Sequence, residues 1–193
     1  MARKPPDLKT LRIRQMARVT ILDKQFETSY PEAQIQEAVA KVAEAINKDL
    51  DGKDPLFLCV LNGAFMFAAD LMKKVNISSR ISFVKLASYS GTKSTGVVKE
   101  LIGLNESLEG RTVVLIEDIV DTGVTIQMLV EQCKAKGAAD VRVATMLFKP
   151  GSCKLPTRPE YVGLEIPNDF IVGYGLDYDG YGRNLPEILT LVP

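Results

Sequence analysis

Val113-Val114-Leu115-Ile116-Glu117-Asp118-Ile119-Val120-Asp121-Thr122-Gly123-Val124-Thr125 is the stretch on which the fold turns. A four-residue apolar run predicts a strand, two adjacent acids close it, and a short turn follows with a third acid, a glycine and two threonines. Ile126, Leu129, Val130 and Cys133 then recur at helical spacing and predict an amphipathic helix that ends near Gly137. A strand, tight turn and helix in this order make an anion site, because the first N–H groups of a helix lack partners and meet a favourable dipole. Gly123 lets backbone approach a phosphate, and Thr122 and Thr125 add hydroxyl donors. A phosphate cradle has no use for three carboxylates. Glu117 and Asp118 instead suit a sugar diol or the water shell of a divalent cation. As single residues these acids would be ordinary helix caps or loop surface; the combined pattern points to a sugar phosphate.

The flanking sequence has the same rhythm. Ser29-Tyr30-Pro31-Glu32 reads as a capping box with Ser29 as N-cap, and Ile35, Val39, Val42 and Ile46 give the helix after it one buried stripe. Leu56–Leu61 reads as a strand buried on both faces, followed by Asn62-Gly63 and a helix from Ala64 to about Lys74. Ile81–Ala87 and Val141–Phe148 are further strands, and a polar stretch rich in Ser, Gly, Thr and Lys separates the first of them from Thr112–Ile116. Alternating strands and helices predict an α/β fold with a twisted, mostly parallel sheet flanked by helices. Ligands of such sheets bind beyond the carboxyl ends of the strands, which here are Leu61-Asn62-Gly63, Glu117-Asp118 and Lys149. Val120-Asp121-Thr122-Gly123-Val124-Thr125 also resembles the nucleophile loop of aspartic proteases. Those enzymes need two such loops in an all-β setting, and the helical period after Gly123 argues against them.

Composition narrows the chemistry. With 193 residues and 46% hydrophobic content the chain can build one domain with its own core, read as residues 19–193 behind a basic arm at 1–18. The arm carries Arg3, Lys4, Lys9, Arg12, Arg14 and Arg18 against the single acid Asp7, and it lacks the apolar core of a secretory signal. Lys plus Arg equal Asp plus Glu at 24 each, so bulk charge argues for neither nucleic acid nor membrane as a partner. Cys59, Cys133 and Cys153 form no zinc or disulfide pattern, which suits the cytoplasm. The chain has no histidine. Ser-His-Asp and Cys-His nucleophile systems and His-ligated metals are therefore excluded, and proton transfer falls to a carboxylate, Lys, Tyr or Cys.

The central segment resembles the phosphoribosyl pyrophosphate (PRPP) motif of type I phosphoribosyltransferases. Leu58–Ala64, Ser88-Tyr89-Ser90-Gly91-Thr92 and Leu164–Tyr178 narrow the likeness to the hypoxanthine/guanine enzymes, over roughly residue 19 to the C-terminus. The resemblance implies the family fold with a small hood lobe made by the terminal segments, PRPP and a purine base as ligands, Mg²⁺ as cofactor, and a homodimer or homotetramer. It assigns Asp121 as the general base that takes a proton from purine N7, and Glu117, Asp118 and Asp177 to magnesium, the first two also to the ribose hydroxyls. Residues 119–125, that is Ile119, Val120, Asp121, Thr122, Gly123, Val124 and Thr125, would wrap the 5′-phosphate. Leu61, Asn62 and Gly63 would form the pyrophosphate loop, where relatives can hold a non-proline cis peptide, and Arg183 would reach the same pyrophosphate. Lys149 would donate to the purine O6, Phe170 would stack on the base, and Ile171 would offer backbone groups to its exocyclic position. Ser88 and Tyr89 would open a mobile lid. Several relatives carry a basic residue where this chain has Asn62, which leaves pyrophosphate more dependent on Mg²⁺ and Arg183. A xanthine-preferring enzyme and a PRPP-binding regulator of the same fold share most of this pattern.

Overall fold

The computed structural model describes residues 18–89, 98–102, 104–156 and 158–192. Six strands form the main sheet in the order β5-β4-β3-β6-β7-β8. They are β3 (Leu56–Leu61), β4 (Arg80–Tyr89), β5 (Val98–Ile102), β6 (Thr112–Val120), β7 (Asp140–Phe148) and β8 (Tyr161–Glu165). Every pairing is parallel except that of the edge strand β5, which runs antiparallel to β4. Helices α1 (Glu32–Asp49), α2 (Phe65–Met72) and α3 (Val124–Ala135) cover the sheet.

The period of two along β3 assigns the two faces. Phe57 and Cys59 join Val114, Ile116, Ala144 and Met146 under α1 and α2, in a cluster that includes Ile35, Val39, Val42 and Ile46. Leu56, Leu58 and Val60 point the other way and pack with Val113, Leu115, Val143 and the α3 residues Ile126, Leu129 and Cys133. A strand apolar at every position thus feeds two cores at once. The terminal segments make a second, four-stranded antiparallel sheet, β1-β2-β10-β9, from β1 (Val19–Ile21), β2 (Lys24–Tyr30), β9 (Ile171–Val172) and β10 (Ile188–Leu191). This is the expected hood, and Phe26, Val172 and Leu189 form its own small core.

Two local expectations fail. Ser29 is not a helix cap: α1 begins at Glu32 with extended Pro31 (φ −65°, ψ 154°) before it and no side-chain cap. Ser29 lies in β2 and donates its hydroxyl to Thr190 Oγ1 at 2.6 Å. Proline biases the residue before it toward extended backbone, and pairing of Tyr30 with Ile188 keeps it there. The central strand is also longer than the acid pair implied. β6 runs through Glu117 and Asp118 to Val120, because β7 continues to pair with it as far as Val120↔Phe148. The aspartic-protease alternative does not survive a parallel α/β sheet with α3 directly after Gly123. Residues 1–17 of the basic arm and 90–97 of the expected lid lie outside the described residues.

Candidate active site

The turn from β6 into α3 makes a shallow concavity lined by Glu117, Ile119, Val120, Asp121, Thr122, Gly123 and Thr125. Gly123 sits at φ +81° as the residue before α3, and no side chain caps the helix. A β-carbon there would also stand 2.3 Å from Leu155 Cγ, so both conformation and space require glycine. The first-turn amides therefore stay available to an anion. Val124 turns its side chain to solvent and can contribute only backbone.

Asp121 projects from this turn, half exposed, and meets Lys149 Nζ at 3.3 Å. Ser152 donates its hydroxyl to the other oxygen of the same carboxylate. The Ser152 hydrogen bond is the largest influence on the Asp121 carboxyl; burial opposes it, and the charge and hydrogen bond of Lys149 add to it, so that the carboxyl lies below the ordinary aspartate range. Lys149 follows β7 and is buried, and its Nζ also donates to the Asp169 carbonyl at 3.0 Å. Ser152 belongs to no motif that the sequence displays. Only the fold, which returns the loop after β7 past the β6–α3 turn, identifies it.

Further back along β6 the other two carboxylates meet a different environment. Asp118 Oδ2 occupies the space beside Gly63, where an added β-carbon would lie 1.5 Å from it. Burial raises the Asp118 carboxyl to about 6, with Asp177 adding to the rise and backbone N–H groups and Arg183 opposing it. Burial, then Asp118, pushes Glu117 well above its usual value, and Glu117 Oε2 has no hydrogen-bond partner. Beneath them burial and the two acids drive the Cys59 thiol to about 12, which makes it inert. Leu61 and Asn62 are joined by a cis peptide bond. The loop after β9 folds onto that turn: Gly175 packs so closely on the Gly63 carbonyl that a β-carbon would stand 1.9 Å from it. Arg183 donates to the Gly175 carbonyl at 2.7 Å and pairs with Asp177 at 2.6 Å. Asp177 also accepts from the Gly180 amide at 2.7 Å.

Among the described residues no cluster of three or more carboxylates or thiols encloses a metal ion. The residues nevertheless fit Mg²⁺, which typically takes one or two carboxylates and completes its shell with water and substrate oxygens. The unpartnered Glu117 Oε2 and the partly buried Asp118 supply that kind of incomplete set. Asp177, engaged by Arg183 and Gly180, is the least free of the three expected ligands.

The far end of the site is aromatic. Phe170 is 47% exposed, far from the core role that an isolated phenylalanine would have. Its ring meets Tyr178 edge-on at 5.9 Å and buried Phe26 at 6.3 Å, which fixes the plane it presents. Ile171 begins β9 and pairs with Thr190. Ser88 and Tyr89 end β4 opposite Lys99 and Val98. The structure therefore gathers Glu117, Asp118, residues 119–125 and Lys149 with the 61–63 turn, Asp177 and Arg183 along the carboxyl ends of β3, β6 and β7, and Phe170 on the hood above.

Known proteins resemble this chain in sequence and in fold. The phosphoribosyl transferase domain family matches residues 30–179. The hypoxanthine-guanine phosphoribosyltransferase of Lactococcus lactis is 38% identical over 89% of this chain and 94% of its own length, and that of Mycobacterium tuberculosis is 40% identical over 83% of each. Bifunctional TilS/HprT proteins of Listeria are 40–41% identical, and the chain spans about a quarter of their length. A crystal structure of a Staphylococcus aureus hypoxanthine phosphoribosyltransferase superposes with a TM-score of 0.79 at 37% identity, covering 86% of this chain and 91% of that one.

Proposed function

Because the chain belongs to the hypoxanthine-guanine phosphoribosyltransferases of the phosphoribosyl transferase family, we propose that it transfers the 5-phosphoribosyl group of PRPP to N9 of hypoxanthine or guanine. The bond from ribose C1 to pyrophosphate breaks, the N9–C1 bond forms, and the purine N7 proton passes to Asp121. The observation that carries this reading is the Asp121–Lys149 pair at 3.3 Å beside an uncapped helix N-terminus. It supports a carboxylate base and a phosphate cradle on one turn of chain, with an O6 donor brought beside them from 28 positions away.

The residue roles are those that the family resemblance implies, and the surroundings of several residues support them. Amides of residues 122–125 and the Thr122 and Thr125 hydroxyls hold the 5′-phosphate. Asp121 stays ionised because Ser152 and Lys149 favour its charged form, and in a chain without histidine it accepts the proton. Lys149 keeps donor capacity toward the purine O6 beyond its bonds to Asp121 and Asp169. Phe170 stacks on the base and Ile171 meets its exocyclic group through backbone. Leu61, Asn62, Gly63 and Arg183 receive pyrophosphate. Glu117 and Asp118 accept from the ribose hydroxyls and, with Asp177, hold Mg²⁺, which when bound neutralises the leaving pyrophosphate. Ser88 and Tyr89 lead into a lid that excludes water from the cation-like ribose.

Outside the site, Ile81 and Phe83 share one face of β4 and Phe65 opens α2, all with exposed side chains, which supports assembly as a homodimer or homotetramer. Three unpaired cysteines, two of them buried, support a cytoplasmic location. Among the described residues no helix is long and apolar enough to cross a membrane. The test is a steady-state assay of hypoxanthine, guanine, xanthine and adenine with PRPP. Hypoxanthine and guanine react well, xanthine poorly and adenine hardly at all. A preference for xanthine would move the chain to that specificity, and PRPP binding without turnover of any base would make it a regulator.

A further inference from the structure

We infer that the Tyr174 hydroxyl and the Asp70 carboxylate form a strut that positions Arg183 and the pyrophosphate end of the site, an inference that rests on the role given to Arg183 above. The guanidinium of Arg183 is placed by two contacts, the Gly175 carbonyl at 2.7 Å and Asp177 at 2.6 Å. Where Arg183 sits thus depends on how Gly175 is held. Gly175 ends a run of three successive residues at positive φ: Gly173 at 101°, Tyr174 at 48° and Gly175 at 100°. Glycine adopts this region freely, but a tyrosine persists there only where its surroundings hold it.

The surroundings are specific. Tyr174 is 3% exposed within the core under α1 and α2. Its amide donates to the Leu185 carbonyl at 2.8 Å, and its hydroxyl donates to Asp70 Oδ2 at 2.9 Å. Asp70 lies in α2 and is itself held by Gln36 Nε2 of α1 at 2.6 Å and by Lys73 Nζ at 2.9 Å. These donors keep the Asp70 carboxyl ionised although burial opposes it.

Helix α2 begins directly after the turn of Leu61, Asn62 and Gly63, and Gly175 rests on the Gly63 carbonyl. The contacts therefore close a triangle: turn to α2 through the chain, α2 to Tyr174 through Asp70, and Gly175 back to the turn. Two segments more than a hundred residues apart in sequence, both assigned to pyrophosphate, are tied through one hydroxyl. Neither Tyr174 nor Asp70 lines the concavity at Asp121, so the strut acts through Arg183 and not on the reacting atoms.

Tyr174→Phe removes the hydroxyl and keeps the ring. The expected result is a KM for PRPP raised about tenfold, as loss of one hydrogen bond to a charged acceptor allows, with kcat per active site and the KM for hypoxanthine within about twofold. The Kd for pyrophosphate in isothermal titration rises in parallel, and the amides of Tyr174 and Gly175 exchange hydrogen faster. Asp70→Leu has the same effect, adding Tyr174→Phe to it makes matters no worse, and Asp70→Asn, which keeps an acceptor, restores most of the PRPP affinity. An unchanged KM for PRPP in Tyr174→Phe overturns the inference. So does a lower melting temperature with equal losses for both substrates, because that describes a merely structural tyrosine. If the wild-type enzyme turned over no purine, the functional reading would fail by itself. Pyrophosphate affinity and amide exchange in the variants would still decide on the strut.

Discussion

At the end of β6, Glu117 is buried and Asp118 partly buried, both with raised carboxyls, whereas three residues further on Asp121 is half exposed and its carboxyl is lowered. The backbone hand-over from strand to turn creates this contrast. Within the strand Glu117 pairs with Thr145 of β7, just past the last β3 pairing at Ile116, and on the turn Asp121 meets the loop that carries Lys149 and Ser152. Acids of similar intrinsic strength are thereby prepared for opposite work. A buried pair with an unpartnered oxygen gains from any cation that enters, and a hydrogen-bonded, ion-paired acid is an anion ready to accept a proton.

The contrast breaks first at the metal. With excess EDTA, turnover is expected to fall to background, a loss of at least about 10³-fold, and to return with Mg²⁺ or Mn²⁺, since hard oxygen ligands without imidazole or paired thiols select such ions. Full turnover in EDTA would leave the buried pair without a cation to serve. The next largest effect belongs to the other region. Asp121→Asn is expected to lower kcat by about 10²–10⁴-fold, the usual range for a lost general base, while PRPP affinity changes little. Near wild-type turnover in that variant would take Asp121 out of the mechanism.

Lys149 sharpens the comparison because it touches both Asp121 and the Asp169 carbonyl, next in the chain to the Phe170 assigned to the base. An ammonium satisfies the O6 of hypoxanthine or guanine but faces a donor in adenine, and a polar site of this kind can discriminate by about 10⁴-fold. Lys149→Ala is expected to reduce kcat/KM for hypoxanthine by about 10–100-fold, and its effect on PRPP affinity should be far smaller. A competition assay in which adenine matches hypoxanthine would sink this role.

Much of this was legible because it is contiguous. The β6–α3 segment places strand, acids, turn glycine and helix within about a dozen residues, so periodicity and turn chemistry suffice. What was illegible depends on partners far away in the chain. Lys24–Tyr30 carries mostly polar residues, and its strand state comes from β10, as in the hydrogen bond from Thr28 to Glu187 across 159 positions. The same pairing turned Ser29 from an expected helix cap into a strand residue. Edge strands β5 and β8 are only five residues each, too short for their apolar residues to set a clear period. Ser152, Asp70 and Tyr174 are ordinary residues in sequence, and only the fold brings them to the acid, the turn and the arginine they hold.

The smallest expected effect is on stability, and it tests the electrostatic contrast without any catalysis. Asp118, raised from 3.8 to about 6, keeps a proton in the folded metal-free chain that the unfolded chain releases. Its stabilisation is therefore complete below about pH 4 and is lost as pH rises through about 6, and the raised carboxyl of Glu117 acts in the same direction. Asp121 and Asp70 work in the opposite sense. Their carboxyls are lowered, so their contribution is present above 3.8 and lost as pH falls further. The two windows do not overlap: from about pH 4 to 6 the Asp118 contribution changes while those of Asp121 and Asp70 do not. The melting temperature in EDTA should accordingly fall over that interval, and Mg²⁺ should recover more of it at pH 8 than at pH 5. Glu117→Gln removes the charge and nearly keeps the shape. It should flatten the slope and raise the melting temperature in EDTA at pH 8 by roughly 2–4 °C, equivalent to about 1 kcal/mol for a chain of this size. Identical slopes for wild type and variant would mean that Glu117 is not buried as a charge, and the division between the two acid regions would then rest on Asp118 alone.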